Sequence, residues 1–158
     1  MNDLVVHRQW ASRPPDQRFR TFDELEAAVA ARRVTSCEAT WLLDNVSVNA
    51  DRGGDLLLRG GQLYDGARFS NWSFRQVSSL VAAPADFVAD LPGSLAAEVL
   101  NDRIRHRVEQ DKNPVQVLLQ ERVGDVPLVR AVTSEKYSRA IWDLDVVRMV
   151  RKLIEGTS

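Results

Sequence analysis

The sequence predicts an α+β fold in which four to five helices pack against antiparallel β-hairpins. Three observations carry this prediction. Two glycine pairs, Gly53-Gly54 and Gly60-Gly61, bracket the apolar run Leu56-Leu57-Leu58, as a chain that reverses on either side of a strand requires. Val115, Val117 and Leu119 alternate with Gln116 and Gln120, and Val123-Gly124-Asp125-Val126 separates them from the apolar stretch Leu128 to Val132, which reads as a second hairpin. Elsewhere apolar residues recur at helical spacing.

The 158 residues suffice for one core but not for two ordinary ones, so a single domain is expected over 21–158, behind an N-terminal arm over 1–20. In the arm, Ser12-Arg13-Pro14-Pro15-Asp16 favours extended or loop geometry. Thr21 stands three residues before Glu24, a capping-box spacing, and Phe22, Leu25 and Val29 follow on one face, which predicts a helix over about 22 to 33. From Cys37 to Val48, β-branched and aromatic residues in partial alternation predict a strand. Leu63-Tyr64 adds a brief further one.

Ser70 or Asn71 is positioned to cap a helix whose inward face is Phe74, Val77 and Val81. Pro84 ends it or opens a short helix with Phe87, Val88 and Leu91 inward. Ser94 is the expected cap of a longer helix carrying Leu100, Ile104 and Val108 inward, with Leu95 and Val99 beside them. Asp143 or Asp145 begins a last helix near the positive end of its dipole, with Val146, Val150 and Leu153 as its expected inward stripe.

Lys+Arg 21 against Asp+Glu 22 leaves a net charge of −1, so the chain is no polycation and a nucleic-acid role must rest on a local patch. Cys37 is the only cysteine, which excludes an internal disulfide and a multi-cysteine zinc site. His7 and His106 lack the spacing of paired ligands, so neither a metal nor a cofactor is expected. No P-loop, dinucleotide fingerprint or nucleophile elbow occurs, and no catalytic residue is assigned. The start shows no signal-peptide pattern and no run is long enough to span a bilayer, so the expected setting is the cytoplasm.

The stretch Arg130 to Ile154 joins a strand to an amphipathic helix through a polar, basic turn. Arg130, Lys136, Tyr137 and Arg139 fall within ten residues there, with Thr133 and Ser134 between them. Cations and an aromatic ring on a short loop are what phosphates and unstacked bases require. The alternative makes Tyr137 and Trp142 core anchors and the cations a solvated rim. Arg103 and Arg107 share one side of the longer helix with His106, as a phosphate-contacting stripe or as an ordinary solvated face. Trp72, Phe74 and Arg75 form a second, weaker aromatic-basic group, for which core packing is the favoured account.

Three segments taken together resemble a known family. Asn71-Trp72-Ser73-Phe74-Arg75-Gln76, then Pro84-Ala85-Asp86-Phe87 with Leu91-Pro92 and Leu100-Asn101, and finally Arg130-Ala131-Val132-Thr133-Ser134-Glu135-Lys136-Tyr137, are similar in order and spacing to the phage/plasmid-like proteins of domain-of-unknown-function family 932. The resemblance spans about residues 20 to 155. It implies a mobile-element protein and, by analogy with single-strand annealing proteins of the Rad52 type, one that holds single-stranded DNA in an oligomer. Longer members continue past the helix after Tyr137, so a missing C-terminal portion, or a partner in its place, is also implied. The leading expectation is non-enzymatic single-strand binding through Arg130, Lys136, Tyr137 and Arg139. Its rival is an interaction or self-assembly module that pairs through a sheet edge and touches no nucleic acid.

Overall fold

A computed structural model describes residues 18–61, 63–120, 126–134 and 142–156, with the backbone alone at 63 and 64. The described parts of Met1–Val34 and Ile141–Ser158 form one compact unit, and those of Thr35–Ala140 the other.

The first unit pairs helix α1 (Phe22–Val34) with the last helix, Asp143–Glu155. The start of α1 is a capping arrangement: Thr21 Oγ1 accepts from the Glu24 N–H at 3.1 Å, and Glu24 Oε2 accepts from the Arg20 N–H at 2.8 Å. Trp142 precedes the last helix, and the Arg33 guanidinium lies over its ring, 3.3 Å from the centroid. The two helices are joined by charge. Arg148 Nε donates to Glu26 Oε1 at 3.1 Å, Arg151 Nε stands 3.1 Å from Glu26 Oε2, and Arg151 also bonds Asp23. The bond to Asp23 raises the Arg151 pKa above the usual guanidinium value; the smaller opposing effect is desolvation, and Glu26 adds to the rise. Val147 is the residue this helix buries.

The second unit is a six-stranded sheet in the order β1-β5-β6-β4-β3-β2, from β1 (Ser36–Trp41), β2 (Ser47–Ala50), β3 (Leu56–Gly60), β4 (Leu63–Phe69), β5 (Val115–Gln120) and β6 (Leu128–Ser134). Helices α2 (Asn71–Leu80), α3 (Ala85–Ala89) and α4 (Gly93–Gln110) belong with it. The last helix is therefore α5. The α+β class and both hairpins are as the sequence predicts. Two features differ from that reading. The single strand expected from Cys37 to Val48 is cut by a 3₁₀ turn at Leu43–Asn45, which buries Leu43 and lets β1 and β2 fall at opposite edges of the sheet. The sheet is also not wholly antiparallel: β4 and β6 run parallel through Arg68↔Leu128 and Phe69↔Val129.

One face of the sheet supplies the core. Trp41, Val48, Leu58, Ala67, Val115, Val117, Leu119, Val129 and Val132 meet Val77 and Val81 of α2 and its exit, Val88 of α3, and Ala96, Ala97, Leu100 and Ile104 of α4. Burial along β5 alternates strictly, as its Val-Gln-Val-Leu-Leu-Gln pattern requires. Several helical assignments shift. Ser70, not Asn71, caps α2, its side chain accepting from the Ser73 N–H. Helix α4 starts at Gly93 with Pro92 before it, so Ser94 lies inside the first turn instead of capping. Phe87 and Leu95, expected inward, are exposed; Val88 is buried as expected, and Ala96 takes the buried position beside Leu95.

Four polar side chains close strand edges. Beyond Val129 the parallel neighbour ends, and α2 takes its place along β6: Ser73 Oγ donates to the Val129 carbonyl at 2.8 Å, Ser70 Oγ to the Arg130 carbonyl at 3.2 Å, and Gln76 Oε1 accepts from the Val132 N–H at 3.0 Å. At the other end of the sheet, Asn101 binds both backbone groups of Val48 in the outer strand β2. Ser73, Gln76 and Asn101 thus serve structural joints.

The expected inward stripe of α5 is reversed. Val146, Val150 and Leu153 are exposed, because the helix turns its charged side toward α1 and buries Val147 instead.

Candidate nucleic-acid interface

The sheet's second face, opposite α2–α4, mixes polar side chains with apolar ones such as Leu57 and Leu118. Strand alternation and register place Ser36, Glu38 and Thr40 of β1 here, against Gln120, Leu118 and Gln116 of β5. Gln116 Nε2 donates to Thr40 Oγ1 at 2.8 Å, knitting this polar row. Further along the sheet the same face carries one arginine on each of three successive strands: Arg130 on β6, Arg68 on β4 and Arg59 on β3.

The three are held differently. Arg130 follows the register shift between β5 and β6, and its Nη1 donates to Gln120 Oε1 at 3.1 Å. Arg59 lies beside Asn49 of β2, whose amide, with its oxygen toward the guanidinium, accepts from Nη1 and Nε at 3.0 and 3.1 Å. An amide partner such as Asn49 orients a guanidinium without adding charge of its own. Arg68 is partly offset, with Asp51 and Asp55 of the β2–β3 turn at 3.8 and 3.7 Å. Glycine makes the surface flat here. Gly66 has φ +85°, and a Cβ on it would stand 3.0 Å from Leu57 Cβ and 3.2 Å from Arg59 Cγ, displacing the Arg59 stem.

Of the residues singled out by sequence, Arg130 is the one that joins this face. Lys136, Tyr137 and Arg139 lie outside the described residues. Arg103 has a structural partner: its Nε donates to the Val81 carbonyl at 3.0 Å, satisfying the end of α2. Arg107 pairs with Asp111 at 3.1 Å beyond the last turn of α4, and the neighbouring His106 meets Gln110 at 3.0 Å. Arg103 and Arg107 are thereby occupied locally and do not line the sheet face. Arg75 pairs with Asp86, while Trp72 is 65% exposed, contrary to its expected core role. Arg59 and Arg68 were missed by sequence reading, because single arginines in short strands carry no spacing signal until the strand order is known.

A cleft of about 370 Å³ opens at one end of the sheet, with Phe69, Phe74, Val88 and Leu91 among its apolar lining and Arg68, Asp55 and Asn71 among its polar groups. Among the described residues, no group of three or more His, Cys, Asp or Glu is placed to hold a metal. No helix among them is long and apolar enough to cross a membrane.

Comparison with known proteins returns no match: no family model, no curated protein and no solved structure is similar to this chain.

Proposed function

We propose that this chain is a non-catalytic protein of mobile-element DNA metabolism that holds single-stranded DNA on the face of its sheet opposite α2–α4. The observation that carries the reading is the row Arg130, Arg68 and Arg59 on three successive strands. Strand spacing of roughly 4.8 Å sets such cations at intervals that a flexible phosphate backbone can follow. Contacts of this kind recognise phosphates, so binding carries little sequence preference and weakens as salt rises. The chain segment after β6, with Lys136, Tyr137 and Arg139, continues the basic run that begins at Arg130. The resemblance to the phage/plasmid-like family supplies the mobile-element setting, and the analogy to Rad52-type annealing proteins the single-stranded substrate.

The test is a titration of a fluorescent oligothymidylate with the parent and the Arg59→Gln plus Arg130→Gln double variant over a range of salt. Each lost contact to a single strand lowers the slope of log K against log salt by about 0.7, so the double variant is expected to lower it by about 1.4 and to bind roughly tenfold more weakly at moderate salt. Unchanged affinity and slope would remove this face as the site. A second arm, Lys136→Ala plus Arg139→Ala, measures the contribution of the following segment.

A second reading, an interaction module with no nucleic-acid role, is favoured by the two sheet edges. Asn101 closes β2, whereas β1 is an outer strand of six residues with β5 as its strand neighbour. An outer strand of that length is a template for pairing with another chain.

A further inference from the structure

We propose that the exposed side of α5 is a self-association surface, which pairs antiparallel with α5 of a second copy of this chain. The proposal goes beyond the nucleic-acid reading and does not depend on it.

The helix meets α1 through Arg148 and Arg151 and buries Val147. Its other side carries Val146 at 45% exposure, Met149 at 63%, Val150 at 39% and Leu153 at 67%. Four large apolar side chains on about two turns make a contiguous patch on the order of a few hundred Å², the size that marks an interaction site on a protein surface. The charged side of an amphipathic helix ordinarily faces water. Here it faces a neighbour and the apolar side is exposed, a face that pairing with a second surface would dry.

The rim of the stripe argues for a second copy. Val146, Met149 and Leu153 follow one another at three and four residues, the a, d, a spacing of a helix-pairing seam. In that register Asp145 and Lys152, seven residues apart, both occupy the flanking g position, and Val150 occupies e. Antiparallel pairing sets g against g, so Asp145 of each copy faces Lys152 of the other, and the match is made twice about the twofold axis. The same register sets Val146 against Met149 of the second copy. Parallel pairing would set Asp145 and Lys152 against the uncharged Val150 position and leave both charges unmatched.

One helix face per copy falls short of the roughly 800 Å² per partner of a standard stable interface. The dimer is accordingly a weak one, with Kd on the order of tens of micromolar.

The experiment is sedimentation equilibrium of the whole chain from about 1 to 200 µM, a range that spans such a Kd, with circular dichroism as the folding control. A monomer–dimer equilibrium is expected, and Leu153→Asp should weaken it at least about tenfold. Asp145→Lys and Lys152→Asp should each weaken it, and the two together should restore it. A chain that stays monomeric throughout, a dimer indifferent to Leu153→Asp, or a double swap no better than its single changes would each overturn the proposal. Should Leu153→Asp lower helicity, the charge-swap set decides alone, since both positions are on the helix surface.

Discussion

Asn101 grips Val48 by both backbone groups: its Oδ1 accepts from the Val48 N–H at 2.8 Å, and its Nδ2 donates to the Val48 carbonyl at 2.7 Å. Val48 is fully buried on its side-chain side, yet it lies in the outermost strand, where one row of backbone groups lacks a strand partner. A single amide on α4 therefore does the work of a neighbouring strand. Asn101→Ala is expected to cost about 2–3 kcal/mol, the loss of two hydrogen bonds with their backbone partners left inside. Asn101→Asp should cost a similar amount, because a carboxylate accepts from the N–H but cannot donate to the carbonyl. Urea unfolding of the parent and both variants measures this; a near-neutral Asn101→Asp would show that the donated bond is dispensable.

The joint between α2 and β6 makes a sharper distinction. Gln76 uses only its oxygen, as acceptor for the Val132 N–H. Gln76→Glu keeps that acceptor and should change stability by less than about 0.5 kcal/mol, whereas Gln76→Leu orphans the N–H and should cost about 1–2 kcal/mol. Hydrogen exchange at the Val132 amide offers an independent readout, fast in the leucine variant and slow in the glutamate one.

Gly93 and Gly54 should respond to alanine in contrasting ways. An alanine at the first position of a helix ordinarily stabilises it, but a Cβ on Gly93 would sit 2.1 Å from the Gly54 carbonyl oxygen. Backbone must move, so Gly93→Ala is expected to cost about 2 kcal/mol or more. Gly54 has open space around it but a φ of +89°, and Gly54→Ala should cost only about 1–2 kcal/mol of left-handed strain. Thermal melts that rank the two the other way would contradict the close approach of these loops.

Arg103→Ala separates structure from function on α4. Its bond to the Val81 carbonyl makes it part of the fold, so the variant should lose about 1 kcal/mol of stability while single-strand affinity stays within about twofold of the parent. A large affinity loss with unchanged stability would return the α4 arginines to the candidate interface.

The legible parts of this chain were those in which neighbouring residues decide the outcome. Thr21 with Glu24 announced the start of α1, and the Val-Gln alternation of β5 announced both its strand and its buried side. The illegible parts depend on what packs where. The α5 stripe was read as inward because apolar spacing gives a helix its moment but not the identity of the surface it meets, and here Glu26 and Asp23 attract the opposite side. The parallel β4–β6 pairing joins strands separated by three helices and a hairpin strand, a relation that no local pattern encodes. For the site, Arg130 was visible as part of a basic cluster, whereas Arg59 and Arg68 gained meaning only when the strand order set them side by side.

The pairing of α1 with α5 also constrains how the molecule is made. Arg151 and Asp23 are 128 positions apart, and the whole second unit is threaded between them. During synthesis α1 leaves the ribosome long before its mate exists, while Thr35 to Ala140 already contains every strand of the sheet. Closure of the terminal pair is then a late event over a long loop, the slowest kind of contact for a chain to find. Until it happens, a chaperone or protease would meet α1 without α5 against it.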